Sequence, residues 1–258
     1  AAKGDVFLIT DADIHHAPHS LSYGWSAMYK NGVDMISGYA RETMRSMWTQ
    51  VLISASLFIT VFYVSLPVQR RHPKPFFAMA IGQYLMVRRE VIETMGGFAC
   101  MRHVVTDDIE LAKMVVRHGF KQQFLDLNPI LRVNMYDAFD EAFSGISRSV
   151  FHMTGKTSPL FIILIVVALF LLGTAPFITT VAIVVQLLVG AMHAGTVLAL
   201  AGTLLLYSGW TASALFHNYR LSTALLGPFV FLLVGGSYLY GMYLKLSKRG
   251  MSWRGRPL

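Results

Sequence analysis

The stretch FLITDADIHH, residues 7–16, ends an apolar run on two aspartates one residue apart. Carboxylates at i and i+2, where a chain leaves a strand, can share one hard cation. Mg2+ or Mn2+ held this way completes its shell with water and phosphate oxygens. The same pair also suits a helix cap and a solvated turn, so Asp11 and Asp13 need partners elsewhere to carry chemistry. His15, His16 and His19 follow directly. They allow a separate transition-metal site, but their spacing lies at a turn rather than on one helical face. Thr106-Asp107-Asp108 opens TDDIELAKMVVRHGF. One of these residues fits an N-cap and a first-turn acid, and a carboxylate fixed at a helix start inside a cleft also suits a general base. In GQYLMVRRE, Gly82 marks a point where the backbone must approach something closely, and Arg88-Arg89 reads as a solvated basic end. Arg148 suits either a juxtamembrane anchor or a bidentate contact with a diphosphate.

The elements that must position these residues alternate between strand and helix. Residues 5–10 are a short apolar run of the kind buried in a parallel sheet. HAPHSL starts a helix with Pro18 in its first turn, running to about Asn31 and stopped by Gly32. Residues 33–41 form a second strand. Residues 47–66 are apolar and helical in period but too short for a crossing, which needs about 20 residues; they read as an interfacial or core helix. A basic, proline-punctuated loop, VQRRHPKP, follows at 68–75. Next come a strand, a helix closed by Gly96-Gly97, and an amphipathic helix presenting Ile109, Leu111, Ala112, Val115 and Val116, stopped at Gly119. KQQFLDLNPILRVNMY supplies one strand or two short ones.

Composition then divides the chain. Of its 258 residues 54% are hydrophobic and 14% charged, against about 25% charged in ordinary soluble domains. No Asp or Glu follows Glu141, and six of the 22 basic residues lie beyond Pro159. The net charge of +8 is therefore concentrated beside apolar runs. That is the signature of a cytoplasmic membrane face rather than of nucleic-acid binding. Cys100 is the one cysteine, so no internal disulfide forms. Three uncharged runs after Pro159 exceed the length of a membrane helix candidate. The reading is a catalytic part over 1–158 and a transmembrane part over 159–258 with three or four helices and a basic tail. Four crossings, with the first run broken at Pro176, would keep the tail and the catalytic part on one side.

In order and spacing these motifs resemble a membrane-bound family 2 glycosyltransferase of the GT-A fold, close to hopanoid-associated and ceramide glucosyltransferase-like enzymes. DADIHHAPHSL, GQYLMVRRE with GGF, TDD, RSVFHMTGKTSPL and the final WRGR carry the likeness. The resemblance implies an α/β fold: a partial, Rossmann-like GT-A domain followed by a transmembrane bundle. It implies that Asp11 and Asp13 bind a divalent cation (Mg2+ or Mn2+) and the diphosphate of a nucleotide-sugar donor, a UDP-sugar, with help from Arg148. Gly82, Gln83, Thr106 and Asp107 would line the acceptor side and Asp108 would be the base. The acceptor would be a lipid among membrane lipids, reached from a cytoplasmic catalytic domain at a bacterial inner membrane. A nucleotide-binding half is expected to precede Asp5. Arg148 matches the arginine of the QxxRW motif of processive synthases, but Gly145 stands for Gln and Ser149 for Trp, which weighs against a processive polysaccharide synthase. A non-enzymatic transporter or scaffold is the remaining alternative; the spans offer few polar residues for a path.

Overall fold

The computed structural model describes residues 3–54, 66–101, 107–153, 158–190, 193–247, 252–253 and 256–257. The chain divides into two compact units. One comprises residues 1–43 and 59–135, the other 44–58 and 136–258.

In the first unit β1 (Val6–Ile9), β3 (Met35–Tyr39), β5 (Leu85–Arg88) and β6 (Gln122–Asp126) form a sheet ordered β1-β5-β3-β6. Residues on successive positions point to opposite faces. Phe7, Ile9, Met35, Leu85 and Val87 pack on one face with α4 (Arg89–Thr94) and α5 (Asp107–Arg117) through Val91, Ile92, Leu111, Ala112 and Val115. Val6, Leu8, Ile36, Tyr84, Met86 and Leu125 pack on the other with Met28 of α1 (Ser20–Asn31). Coverage of both faces explains the unbroken apolar runs. The expectation of a parallel setting for the first strand is corrected. β1 and β3 both pair antiparallel with β5, and only β3 with β6 is parallel. β1 also lies at one end of the described sheet and is half-buried rather than fully buried. Two-sided coverage, not strand direction, made its sequence apolar.

A second sheet, ordered β2-β7-β4, consists of β2 (Ile14–His16), β7 (Leu131–Val133) and β4 (Arg41–Glu42). The sequence reading placed no strand at residues 14–16. Gly32 ends α1 at φ 58° and Gly119 follows α5 at φ 84°, both left-handed as anticipated. Pro18 precedes α1 rather than sitting inside its first turn.

In the second unit, residues 47–54 are helical (α2). The remainder of the anticipated 47–66 helix lies outside the described residues up to α3 (Leu66–Arg71), a first-unit helix. α6 (Phe139–Met153) packs on α10 (Phe229–Leu246), where the rings of Phe143 and Tyr240 lie 6.3 Å apart. α7 (Pro159–Val189), α8 (Ala194–Phe216) and α10 are long and apolar enough to cross a membrane, and the short α9 (Leu221–Leu225) separates the last two. The expected break at Pro176 is not there: α7 is one helix of 31 residues. A proline inside a helix removes one N–H, and such a loss is tolerated in membrane helices when hydroxyls and neighbours re-satisfy the backbone. Thr179 and Thr180 donate to the carbonyl of Pro176 itself, at 3.1 and 2.6 Å, which adds side-chain bonds to that turn but does not replace the N–H that the Leu172 carbonyl lacks. Among the described residues there are thus three candidate spans and not four. Each of α7, α8 and α10 is largely uncovered within the fold, as lipid-facing helices are.

Candidate active site

β1 delivers the chain to Thr10, which anchors the following turn. Its hydroxyl donates to the Gln83 carbonyl at 2.9 Å and lies 3.0 Å from His16 Nε2. His16 Nδ1 in turn lies 3.3 Å from the Ser20 hydroxyl at the start of α1. Asp11 and Asp13 are exposed on the turn so fixed. His15 and His16 are consecutive strand residues and point apart, and His19 stands at the position before α1 without a capping side-chain bond. The three imidazoles therefore do not converge, and among the described residues no three metal-ligating side chains do.

Opposite this turn stands the segment that leads into β5. Ser37 of β3 clamps it from both sides: the Ile81 N–H donates to Ser37 Oγ at 2.9 Å, and Ser37 donates to the Ile81 carbonyl at 3.1 Å. Next to that clamp, the Gly82 N–H donates to Asp108 Oδ2 at 3.0 Å. Gly82 also faces Asp11, since a methyl group there would lie 3.6 Å from Asp11 Oδ2 and 3.7 Å from Oδ1. One residue therefore lies close to two carboxylates. With 3.0 Å to the one and 3.6 Å to the other, backbone dimensions limit the two carboxylates to about 9 Å apart at most.

Asp108 is held by its own helix. It is the second residue of α5, whose Leu111, Ala112 and Val115 are buried in the core. Its Oδ1 accepts the Ile109 N–H at 2.8 Å, so each carboxylate oxygen takes one backbone donor. The helix start also favours negative charge.

The profile of glycosyl transferase family 21 matches residues 1–258. The chain belongs to that family. No curated protein matches it. The protein is accordingly a glycosyltransferase, an enzyme with a sugar donor and an acceptor, and not merely a transporter or scaffold. The resemblance named family 2, the matching profile is that of family 21, and sugar transfer is their common ground.

Other positions of this family 21 glycosyltransferase can be placed one by one. Gln83 follows Gly82 and is buried, its Oε1 accepting the Ala40 N–H at 3.3 Å. Asp107 opens α5, while its side chain and Thr106 lie outside the described residues. Arg148 is half-buried in α6 and belongs to the other unit. The glycine three residues before it has a physical reason, because a side chain at Gly145 would run into the Tyr136 hydroxyl. Sequence reasoning missed Glu42, whose Oε2 is buried. Burial pushes its pKa up to about 7, and among the described residues neither Glu42 Oε2 nor the Gln83 side-chain nitrogen has a hydrogen-bond partner. The only signal was a lone acid closing the apolar run VDMISGYARE. A cleft of about 330 Å3 in the first unit lies between Asn31, Arg70 and Lys121, where β3 and β6 begin. Asp11, Gly82 and Asp108 are not among the residues that line it.

Proposed function

We propose that this family 21 glycosyltransferase transfers a sugar, with inversion, from a nucleotide-sugar donor to a lipid hydroxyl at the membrane. The donor is a UDP-sugar and the catalytic part is cytoplasmic. The observation that carries the reading is the closeness of Gly82 to both Asp11 and Asp108. It puts one exposed carboxylate and one helix-fixed carboxylate next to the same residue, one with no side chain.

Asp11 and Asp13 are exposed, hard oxygen donors with space left open by Gly82, which fits a divalent cation, Mg2+ or Mn2+. When bound, that cation would neutralise charge on the diphosphate. Asp108 accepts the proton of the acceptor hydroxyl. The freed oxygen pair forms the new bond at the anomeric carbon as the bond to the diphosphate oxygen breaks, and its electrons leave with the nucleoside diphosphate. Proton removal of this kind contributes about 10²–10⁴-fold to a rate. Gly82 fixes Asp108 through its N–H, while Gln83 and Thr10 hold the strand entry on the acceptor side. The lipid acceptor is supported by the three long apolar helices that follow the catalytic unit. Mass spectrometry of lipid extracts from cells with and without the intact protein tests the proposal. A sugar-bearing lipid that appears only with the protein is the expected result; identical lipid profiles would refute it.

A further inference from the structure

The basic segment VQRRHPKP takes no part in the proposed reaction, and it borders the cleft of about 330 Å3 between Asn31, Arg70 and Lys121. That volume falls within the range of small-molecule sites, about 300–1,000 Å3. The floor of the cleft is a neutral amide network. Gln69, Gln122 and Gln123 line it and are buried, each 6% exposed or less. Gln69 Oε1 accepts the Phe124 N–H at 2.8 Å, and its Nε2 donates to the Phe77 carbonyl at 2.9 Å and to Gln122 Oε1 at 3.2 Å. Gln122 Nε2 donates to the Met79 carbonyl at 2.6 Å. These bonds tie α3 to β6 and so fix the position of Arg70, the residue after Gln69.

The rim is cationic. The end of the Gln123 side chain that faces Arg70 meets only N–H donors, which assigns it as the amide oxygen. It accepts from Arg70 Nη2 at 2.8 Å and from Nε. A guanidinium has five N–H donors, so Arg70 keeps a majority of its own for a ligand. Lys121 is pinned by its backbone: its N–H donates to Asp34 Oδ2 at 2.9 Å, and its carbonyl accepts the Asp34 N–H at 2.8 Å. The other Asp34 oxygen pairs with Arg88 at 3.4 Å. Among the described residues neither Arg70 nor Lys121 forms an ion pair, and no acid lines the cleft. The basic segment supplies none either, since no Asp or Glu occurs between Glu42 and Glu90. Two cations beside a neutral floor form a field that lacks its counter-charge. We propose that this cleft binds a phosphate ester, at a site separate from the carboxylates assigned to sugar transfer. A planar guanidinium matches two phosphate oxygens at once, and an ammonium adds a point charge for a third. The volume is room for roughly ten waters at about 30 Å3 each, so the esterified group has space beside the phosphate. Arg71 and Lys74 strengthen the positive field that draws such an anion in. A soluble phosphate ester and the headgroup of an anionic phospholipid offer the same chemistry.

The test uses the full chain in nanodiscs of phosphatidylcholine, alone or with added phosphatidylglycerol. Calorimetry follows the titration of glycerol 3-phosphate, and native mass spectrometry counts the phosphatidylglycerol that stays bound. Saturable binding of glycerol 3-phosphate, equal in both discs, would support the proposal with a soluble ligand. Retained phosphatidylglycerol, with glycerol 3-phosphate binding lost in discs that contain it, would support it with a headgroup. In either case Arg70→Gln and Lys121→Gln should each weaken the bound probe at least about ten-fold, the loss expected when a charged hydrogen-bonding partner is removed. Asp108→Asn should bind as wild type does. Among the described residues the hydrogen bonds of Lys121 all come from its backbone, so Lys121→Gln should melt as wild type does and still report on the cleft. Binding of neither probe by wild type would overturn the proposal, as would equal affinity in wild type and Lys121→Gln. Loss of probe binding in Asp108→Asn would place the ligand at the other carboxylates and overturn it too. None of these readouts is sugar transfer, so they stand or fall apart from the proposed function.

Discussion

Adding one methyl group at Gly82 separates the site from the fold. The new carbon in Gly82→Ala would lie 3.6 and 3.7 Å from the two Asp11 oxygens, which is ordinary contact. Gly82 is not among the glycines with positive φ, so alanine brings no backbone strain. The Gly82 N–H keeps its bond to Asp108. Stability should therefore stay within about 0.5 kcal/mol of wild type, the usual range for a change that opens no cavity and breaks no bond. Activity should not follow. The methyl occupies the space through which the Asp11 carboxylate is reached, and taking a hydrogen-bonding partner from a charged group costs about 1.5–3 kcal/mol. At about 1.4 kcal/mol per factor of ten, the rate should drop roughly 10- to 150-fold. Sugar transfer in membranes, measured beside a thermal melt of the detergent-solubilised protein, reads both quantities. Wild-type activity in Gly82→Ala, or a melting point lowered by more than about 4 °C, would refute the reasoning.

Two further outcomes follow from the same geometry. Glu42 titrates near 7 in the folded chain against 4.5 as its ordinary value. Because the folded value is raised, its contribution to stability is fully present below about 4.5 and is lost as pH rises through about 7. Melting points of wild type should fall across that window relative to Glu42→Gln, and parallel curves would contradict it. Gly145→Gln, which restores the residue type of the processive synthases, should push against the Tyr136 hydroxyl. It should destabilise by about 1–3 kcal/mol, as overpacking does, seen as a lower melting point; unchanged melting would show that Tyr136 moves aside freely.

Much of the catalytic unit was legible because its periodicities are strong. β1, β3, α1 and α5 stand near where apolar pattern, Gly32 and Gly119 placed them. Strand direction was not legible, since a strand covered on both faces is apolar whether its neighbours run parallel or antiparallel. β2 escaped notice because three residues, two of them histidine, carry no periodic signal. α7 runs on through Pro176, since one missing N–H in a long apolar helix is a smaller loss than a residue-by-residue reading of a proline as a break assumes. At the site, the types and order of Asp11, Gly82 and Asp108 were readable, but their meeting was not. Gly82 and Asp108 are 26 residues apart in the chain, and pairing of β1 with β5 and the seating of α5 bring them together. Glu42 was invisible for a related reason: burial, not residue type, sets its chemistry.

The central claim is that Asp108 removes the proton of an acceptor hydroxyl beside Asp11. Sugar transfer by the full chain in membranes, with Asp108→Asn measured against wild type at equal amounts of folded protein, tests it most directly. The account predicts a loss of about 10²–10⁴-fold in turnover. Turnover by Asp108→Asn within two-fold of wild type would contradict it.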